Sequence, residues 1–161
     1  MAVDIFLSIK EIKGESLDKE FPEAIEVMSF TYGMSQSGSM HTSGGGGAGK
    51  ANFNDISFVH YVDNASPNLM LYCANGKHFK EAVISVRKAG GDKPLTYLKI
   101  TLTNVIVANV SSGGSSNDDR LLENFSLNFE QVKLEYVKQE NDGSGTPGPE
   151  FAWNIAQNIA V

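Results

Sequence analysis

Apolar residues recur at every second position over most of this chain. That period fits an extended strand with one buried face, because successive side chains of a strand point to opposite sides. Val3, Ile5, Leu7 and Ile9 hold one phase near the start. Over residues 26–34, Met28, Phe30, Tyr32 and Met34 oppose Val27, Ser29, Thr31 and Gly33, so this strand has one apolar and one mixed face. Residues 82–88 and 95–110 are rich in Val, Ile, Thr and Tyr, and the segment Lys88-Ala89-Gly90-Gly91-Asp92-Lys93-Pro94 between them supplies turn chemistry. The pair therefore predicts an antiparallel hairpin. In the last long strand the phase changes: Leu121, Phe125, Leu127 and Phe129 are odd, whereas Val132, Leu134 and Tyr136 are even. A β-bulge near Glu130–Gln131 would restore the facing and bend the sheet toward a barrel. Glu123 falls in the apolar phase and is expected to meet a nearby cation or to lie at the strand mouth.

One helix interrupts the strands. Ser66 reads as its N-cap, Pro67 as its first helical residue, Leu69-Met70-Leu71-Tyr72 as its apolar run and Gly76 as its stop. A lone helix among strands covers one end or side of a barrel or sandwich. Three stretches rich in Gly and Ser break the pattern, at 35–50, 111–119 and 141–149. The first is longer than an ordinary connection and carries Met40 and His41, so a functional role is expected of it. After the third, Phe151, Trp153 and Ile155 alternate again, which returns the chain to a sheet.

With 161 residues the chain fits a single domain spanning 1–161. Its one cysteine, Cys73, has no partner for an internal disulfide. A net charge of −6 opposes binding to nucleic acid or to anionic membranes. The start, MAVDIFLSIKEIKGE, has neither the basic flank of a signal peptide nor the length of a membrane span. Assembly in the cytoplasm is the expectation, and any export would need a specialised machine.

Candidate chemistry is sparse. Gly44 to Lys50 fits GxxxxGK, but Ala51 stands where a hydroxyl must hold magnesium, and the alternation after it predicts a strand instead of a phosphate-facing helix. Gly33-Met34-Ser35-Gln36-Ser37 lacks the second glycine position of a nucleophile elbow. His41, His60 and His78 show no metal-ligand spacing and read as ordinary surface or loop histidines. Cys73, beside apolar residues, reads as a small hydrophobe. No catalytic, cofactor or metal site is expected, and the residues alone describe a self-associating β domain.

Several distinctive blocks stand in order along the chain. They are Met1-Ala2-Val3-Asp4-Ile5-Phe6 with Lys13-Gly14-Glu15-Ser16, the run Tyr32-Gly33-Met34-Ser35-Gln36-Ser37-Gly38-Ser39-Met40-His41, and Ser66-Pro67-Asn68-Leu69-Met70. Further on come Gly76-Lys77-His78, Arg87-Lys88-Ala89-Gly90-Gly91, Glu123-Asn124 with Leu127-Asn128-Phe129, and Trp153-Asn154-Ile155 with Gln157-Asn158. Together these blocks resemble the haemolysin-coregulated protein (Hcp) family, the inner-tube subunit of bacterial type VI secretion systems, and the resemblance implies a mainly β fold, two antiparallel sheets forming a β-barrel with one flanking helix. It also implies six copies in a ring, and rings stacked into a tube that a contractile sheath drives outward behind a spike protein. Export would then occur without a cleavable signal, and the channel would shelter small effector proteins. In such a subunit the 35–50 loop would reach a neighbouring copy, with Gln36, Met40, His41 and Lys50 as its expected assembly contacts. Ser29 and Thr31, on the mixed strand face, would line the channel. A phage tail-tube subunit shares this ring-and-tube logic, and a nucleotide-binding enzyme using Gly44 to Lys50 is the reading from a different class.

Overall fold

The computed structural model describes residues 3–41, 49–88 and 93–161. The period-two segments become strands: β1 (Val3–Ser8), β2 (Ile25–Glu26), β3 (Ser29–Thr31), β4 (Met34–Ser35), β5 (Asn52–Phe53) and β6 (Ile56–Tyr61). The helix α1 (Ser66–Asn75) follows, then β7 (Phe79–Lys88), β8 (Thr96–Gly113), β9 (Leu122–Gln139), β10 (Gly145–Asn154) and β11 (Ile159–Ala160). A nine-stranded sheet runs β11-β10-β9-β8-β7-β1-β2, with β6 also on β9 and β3 on β6; β4 and β5 form a separate two-stranded sheet. Gly113 shows that β8 consumes the start of the 111–119 stretch, and Gly145–Pro149 of the 141–149 stretch lie inside β10, where the register shifts between Pro147 and Glu150. The expected 82–110 hairpin is β7 and β8, whose turn residues 89–92 lie outside the described residues.

The β8–β9 ribbon organises the fold. It pairs from Leu98↔Tyr136 to Gly113↔Leu122, and a ribbon of that length twists too far to stay in one flat layer. The outer edge of β9 carries β10 at one end, as in Trp153↔Val132, and β6 at the other, as in Phe58↔Phe125. The change of apolar phase read in β9 is present, but its cause differs from the expected bulge at Glu130–Gln131. Leu102↔Val132 and Val105↔Phe129 keep one register through the change, so β8 and β9 turn over together and no residue is inserted there. Asn104 permits the turn with a φ of 53°, and its side chain donates to Glu130 Oε2 at 2.6 Å. The register shift of the pair falls in β8, between Val107 and Asn109.

The sheet curls round a core of Leu7, Ile25, Ile56, Phe58, Ile84, Ile100, Leu102, Phe125 and Leu127, onto which α1 sets Leu69 and Tyr72. Each such buried side chain contributes about 1.5–3 kcal/mol. The circle of strands β7-β1-β2 and β8-β9-β6-β3 is not closed by a continuous ladder. Between β2 and β3 the link crosses by single bonds: Val27 N–H donates to the Ile5 carbonyl at 2.9 Å and Met28 N–H to the Val59 carbonyl at 2.8 Å. The single strand expected over 26–34 is accordingly broken, because its first part serves β1, its middle serves β6 and its end leaves the sheet.

Two local expectations change. Ser66 is the first helical residue and not the N-cap, which is Ala65. Asp63 organises the entry: its carboxylate accepts from Ala65 N–H at 2.8 Å, and its own N–H donates to Ser66 Oγ at 3.1 Å. Gly76 ends the helix as expected, with a φ of 66°. In β1 both Phe6 and Leu7 are buried, because residues 9–24 fold back over the outer side of the strand. There Phe6 stacks on Phe21 at 4.6 Å, and Arg87 lies 5.1 Å from the Phe6 ring. Arg87 donates to Asp18 at 2.6 Å, to Asp4 at 3.1 Å and to Glu20 at 3.3 Å.

Candidate assembly interface

The long Gly- and Ser-rich loop leaves the sheet as an arm. Its stem is the β4–β5 pair, Met34↔Phe53 and Ser35↔Asn52, extended by Asn54 N–H donating to the Gly33 carbonyl at 2.9 Å. Gly49 comes back against Ser37, so the two limbs run side by side beyond the stem. Gln36, Met40, His41 and Lys50 are all exposed on the arm, Met40 at 86%. The structure places these four residues on one projecting element. Gly44 to Ala48 of the phosphate-loop lookalike lie outside the described residues, but Lys50 leads into strand β5 and not into a helix.

Beside the stem the surface is unusually apolar. Tyr32 and Met34 are each 51% exposed and, with Phe53, Phe129, Leu134 and Phe151, line an open cleft. The apolar phase read at residues 28–34 therefore faces largely outward: Met28, Tyr32 and Met34 lie about half in solvent, and only Phe30 packs on the core. The chain leaves the sheet before this phase can be buried.

Four strands, β3, β6, the first part of β9 and the last part of β8, share a face of a different character. Residues paired across strands lie on one side of a sheet. One row runs Thr31↔Ser57, Ser57↔Ser126 and Asn109↔Ser126; the next runs Ser29↔Val59, Val59↔Asn124 and Ser111↔Asn124. Ser29, Thr31, Ser57, Asn109, Ser111 and Asn124 are exposed, and these rows contain no charged side chain. The opposite side of the same strands supplies Phe58, Phe125 and Leu127 to the core. Ser29 and Thr31 thus belong to a broad, neutral, hydrogen-bonding surface.

This four-stranded face has two open edges among the described residues. β3 pairs only with β6, and β8 beyond Val105 pairs only with β9, since β7 ends opposite Val105. Neither edge carries proline. The outer edge of β10, in contrast, contains Pro147 and Pro149, which lack the N–H that strand addition requires. The only helix among the described residues is ten residues long, too short to cross a membrane.

His60, read in the sequence as an ordinary surface or loop histidine, is instead fully buried. It is the partner of Glu123, for which a nearby cation or a place at the strand mouth was expected: His60 Nε2 lies 2.8 Å from Glu123 Oε1, and the two residues are register partners in β6 and β9. The signal was available, because His60 continues the phase of Ile56 and Phe58.

Comparison with known proteins agrees with this architecture. Residues 6–136 match the profile of the family described as "Type VI secretion system effector, Hcp". The chain is 52% identical over 160 residues to the Hcp1 protein of Pseudomonas aeruginosa, with 99% of each covered. Its fold is similar to the crystal structure of Hcp1 from Salmonella typhimurium, with a TM-score of 0.82 at 40% identity and all of both chains covered. A further type six secretion system protein superposes with a TM-score of 0.93 at 24% identity, covering 99% of this chain and 100% of the other, a likeness of fold. On these matches the chain belongs to the Hcp family of the type VI secretion system.

Proposed function

We propose that this chain is a structural, non-catalytic subunit whose copies join edge to edge into six-membered rings that stack into a secretion tube. The observation that carries the reading is the neutral four-stranded face with an open edge on each side. Pairing the β3 edge of one copy with the 106–113 edge of the next joins two different surfaces, and such a head-to-tail contact closes into a ring when its rotation allows. The proline-bearing edge of β10 is unsuited to that role.

In the ring the Ser29 and Thr31 face lines the channel, where a surface of hydroxyl and amide groups holds small effector proteins by weak, short-range bonds. The arm, with Gln36, Met40, His41 and Lys50, lies against an adjacent copy, in the same ring or the next, and the apolar ground beside the stem is covered in the assembly. Rings form in the cytoplasm and leave the cell without a cleavable signal, pushed by a contractile sheath behind a spike protein. Thr31→Trp tests the channel assignment, since Thr31 is exposed and its replacement spares the core. Monomer folding by circular dichroism should persist, while ring formation or effector retention, read by size-exclusion chromatography and co-purification, should fall. If both are unchanged, the assignment is wrong.

A further inference from the structure

The cluster round His60 has a role that neither ring assembly nor channel lining uses. His60 and Glu123 are 0% and 1% exposed at their side chains, and Asp63 is 9% exposed, with its Oδ2 at 3.8 Å from His60 Nδ1. Nδ1 has no hydrogen-bond partner in the protein. The ring therefore sits between two carboxylates from different parts of the fold, Glu123 of β9 and Asp63 of the link into α1. Phe125 closes one side of the site, its ring edge-on to the imidazole at 5.1 Å. Arg120, the nearby cation leading into β9, lies instead over Tyr61 at 3.8 Å. The helix sequence SPNLMLYCAN brings no charged side chain.

A proton on His60 places a cation between the two acidic side chains in a nearly closed site, and its loss leaves the ring neutral there. Burial opposes the charge on the ring, but its interactions with the Asp63 and Glu123 carboxyl groups outweigh that and raise the pKa of His60 above its ordinary value. Loss of the proton leaves two carboxylates facing a neutral ring. Asp63 is the more exposed of the two and is the one free to turn to solvent. The Asp63 carboxylate also accepts from Ala65 N–H at 2.8 Å, so its departure removes the side-chain tie at the entry to the helix.

We propose that the proton on His60 is a latch that fixes the start of α1 to the β6–β9 pair, so that raising the pH releases the first turn of the helix while the sheet stays folded. The sign follows from the direction of the shift. The holding energy is fully present below the unfolded-state pKa of about 6.5 and is lost as pH rises through the higher folded value.

The test uses the full chain. The ring signals of His60 are followed by NMR against pH, together with amide exchange of residues 65–69 corrected for its intrinsic pH dependence. Protection of these amides should fall severalfold across the titration, because the latched state holds the His60 proton more tightly than the released one. Glu123→Gln should move both the titration and the loss of protection to lower pH, in step, while strand amides in β7 and β8 keep their protection. His60 titrating at or below 6.5, protection of 65–69 that stays flat across the titration, or a Glu123→Gln variant that shifts one curve without the other would each overturn the latch.

Discussion

Replacing Arg87 by Met removes the guanidinium that ties residues 9–24 to the sheet while keeping an unbranched side chain between β1 and that segment. In the native protein Arg87 donates twice to Asp18, at 3.0 and 2.6 Å, once to Asp4 and once to Glu20. Asp18 in turn accepts from the backbone N–H groups of Glu20 and Phe21, so the pair fixes the turn that carries Phe21 onto Phe6. Removing one partner of a fully buried ion pair costs about 3–5 kcal/mol. Here the side chains of Asp18 and Asp4 are 24% and 34% exposed, and water can take over part of their solvation, so about 2 kcal/mol is expected. For a chain of this size that lowers the melting temperature by roughly 4–8 °C at neutral pH.

The pH dependence of this loss identifies its cause. The hydrogen bond from Arg87 holds the Asp18 pKa down at about 2, below its ordinary 3.8. A lowered carboxylate pKa stabilises the fold above the unfolded value, and that contribution disappears as pH falls through the folded value. The difference between native protein and Arg87→Met should therefore be full above pH 4 and shrink steadily toward pH 2. Differential scanning calorimetry at fixed protein concentration measures it, because assembly raises apparent stability by mass action. Equal melting temperatures at pH 7, or a gap that does not narrow in acid, would refute the reasoning.

Two further outcomes are expected. Gly14→Ala would put a Cβ 2.5 Å from the Ala24 carbonyl oxygen, at the end of the covering segment, and 2.7 Å from Ile25 Cα in β2, and chemical denaturation should show a loss of about 2 kcal/mol. Deleting residues 43–49 shortens the arm beyond its stem, so the unfolding free energy of the monomer should stay within about 0.5 kcal/mol of native while ring stacking or secretion weakens; unaltered tubes in electron micrographs would count against an assembly role for the arm.

Much of this fold can be read from alternation, since β1, β6 and each half of β8 and β9 carry the period that burying one sheet face requires. What alternation could not supply is what lies beyond a strand. Phe6 is out of phase with Leu7 yet buried, because Phe21, Arg87 and the 9–24 segment cover it from outside. Met28, Tyr32 and Met34 hold a correct apolar phase but stay half exposed, because the chain departs into the arm. The switch of phase in β9 was visible, whereas its origin in a paired turn at Asn104 depends on the partner strand. Ser29 and Thr31 could be assigned to one face from parity; that Ser57, Asn124 and Ser126 extend this face is decided by cross-strand register. His60 and Glu123, distant in sequence, could each be placed in a buried phase, and only the β6–β9 pairing shows that they answer one another.

The central claim is that a folded copy of this chain is incomplete and closes into a ring through its open edges. Native mass spectrometry of the purified protein measures this directly. A dominant species of six times the 17.4 kDa chain mass, with few open intermediates, is the predicted result. A stable monomer that persists at high concentration would contradict it.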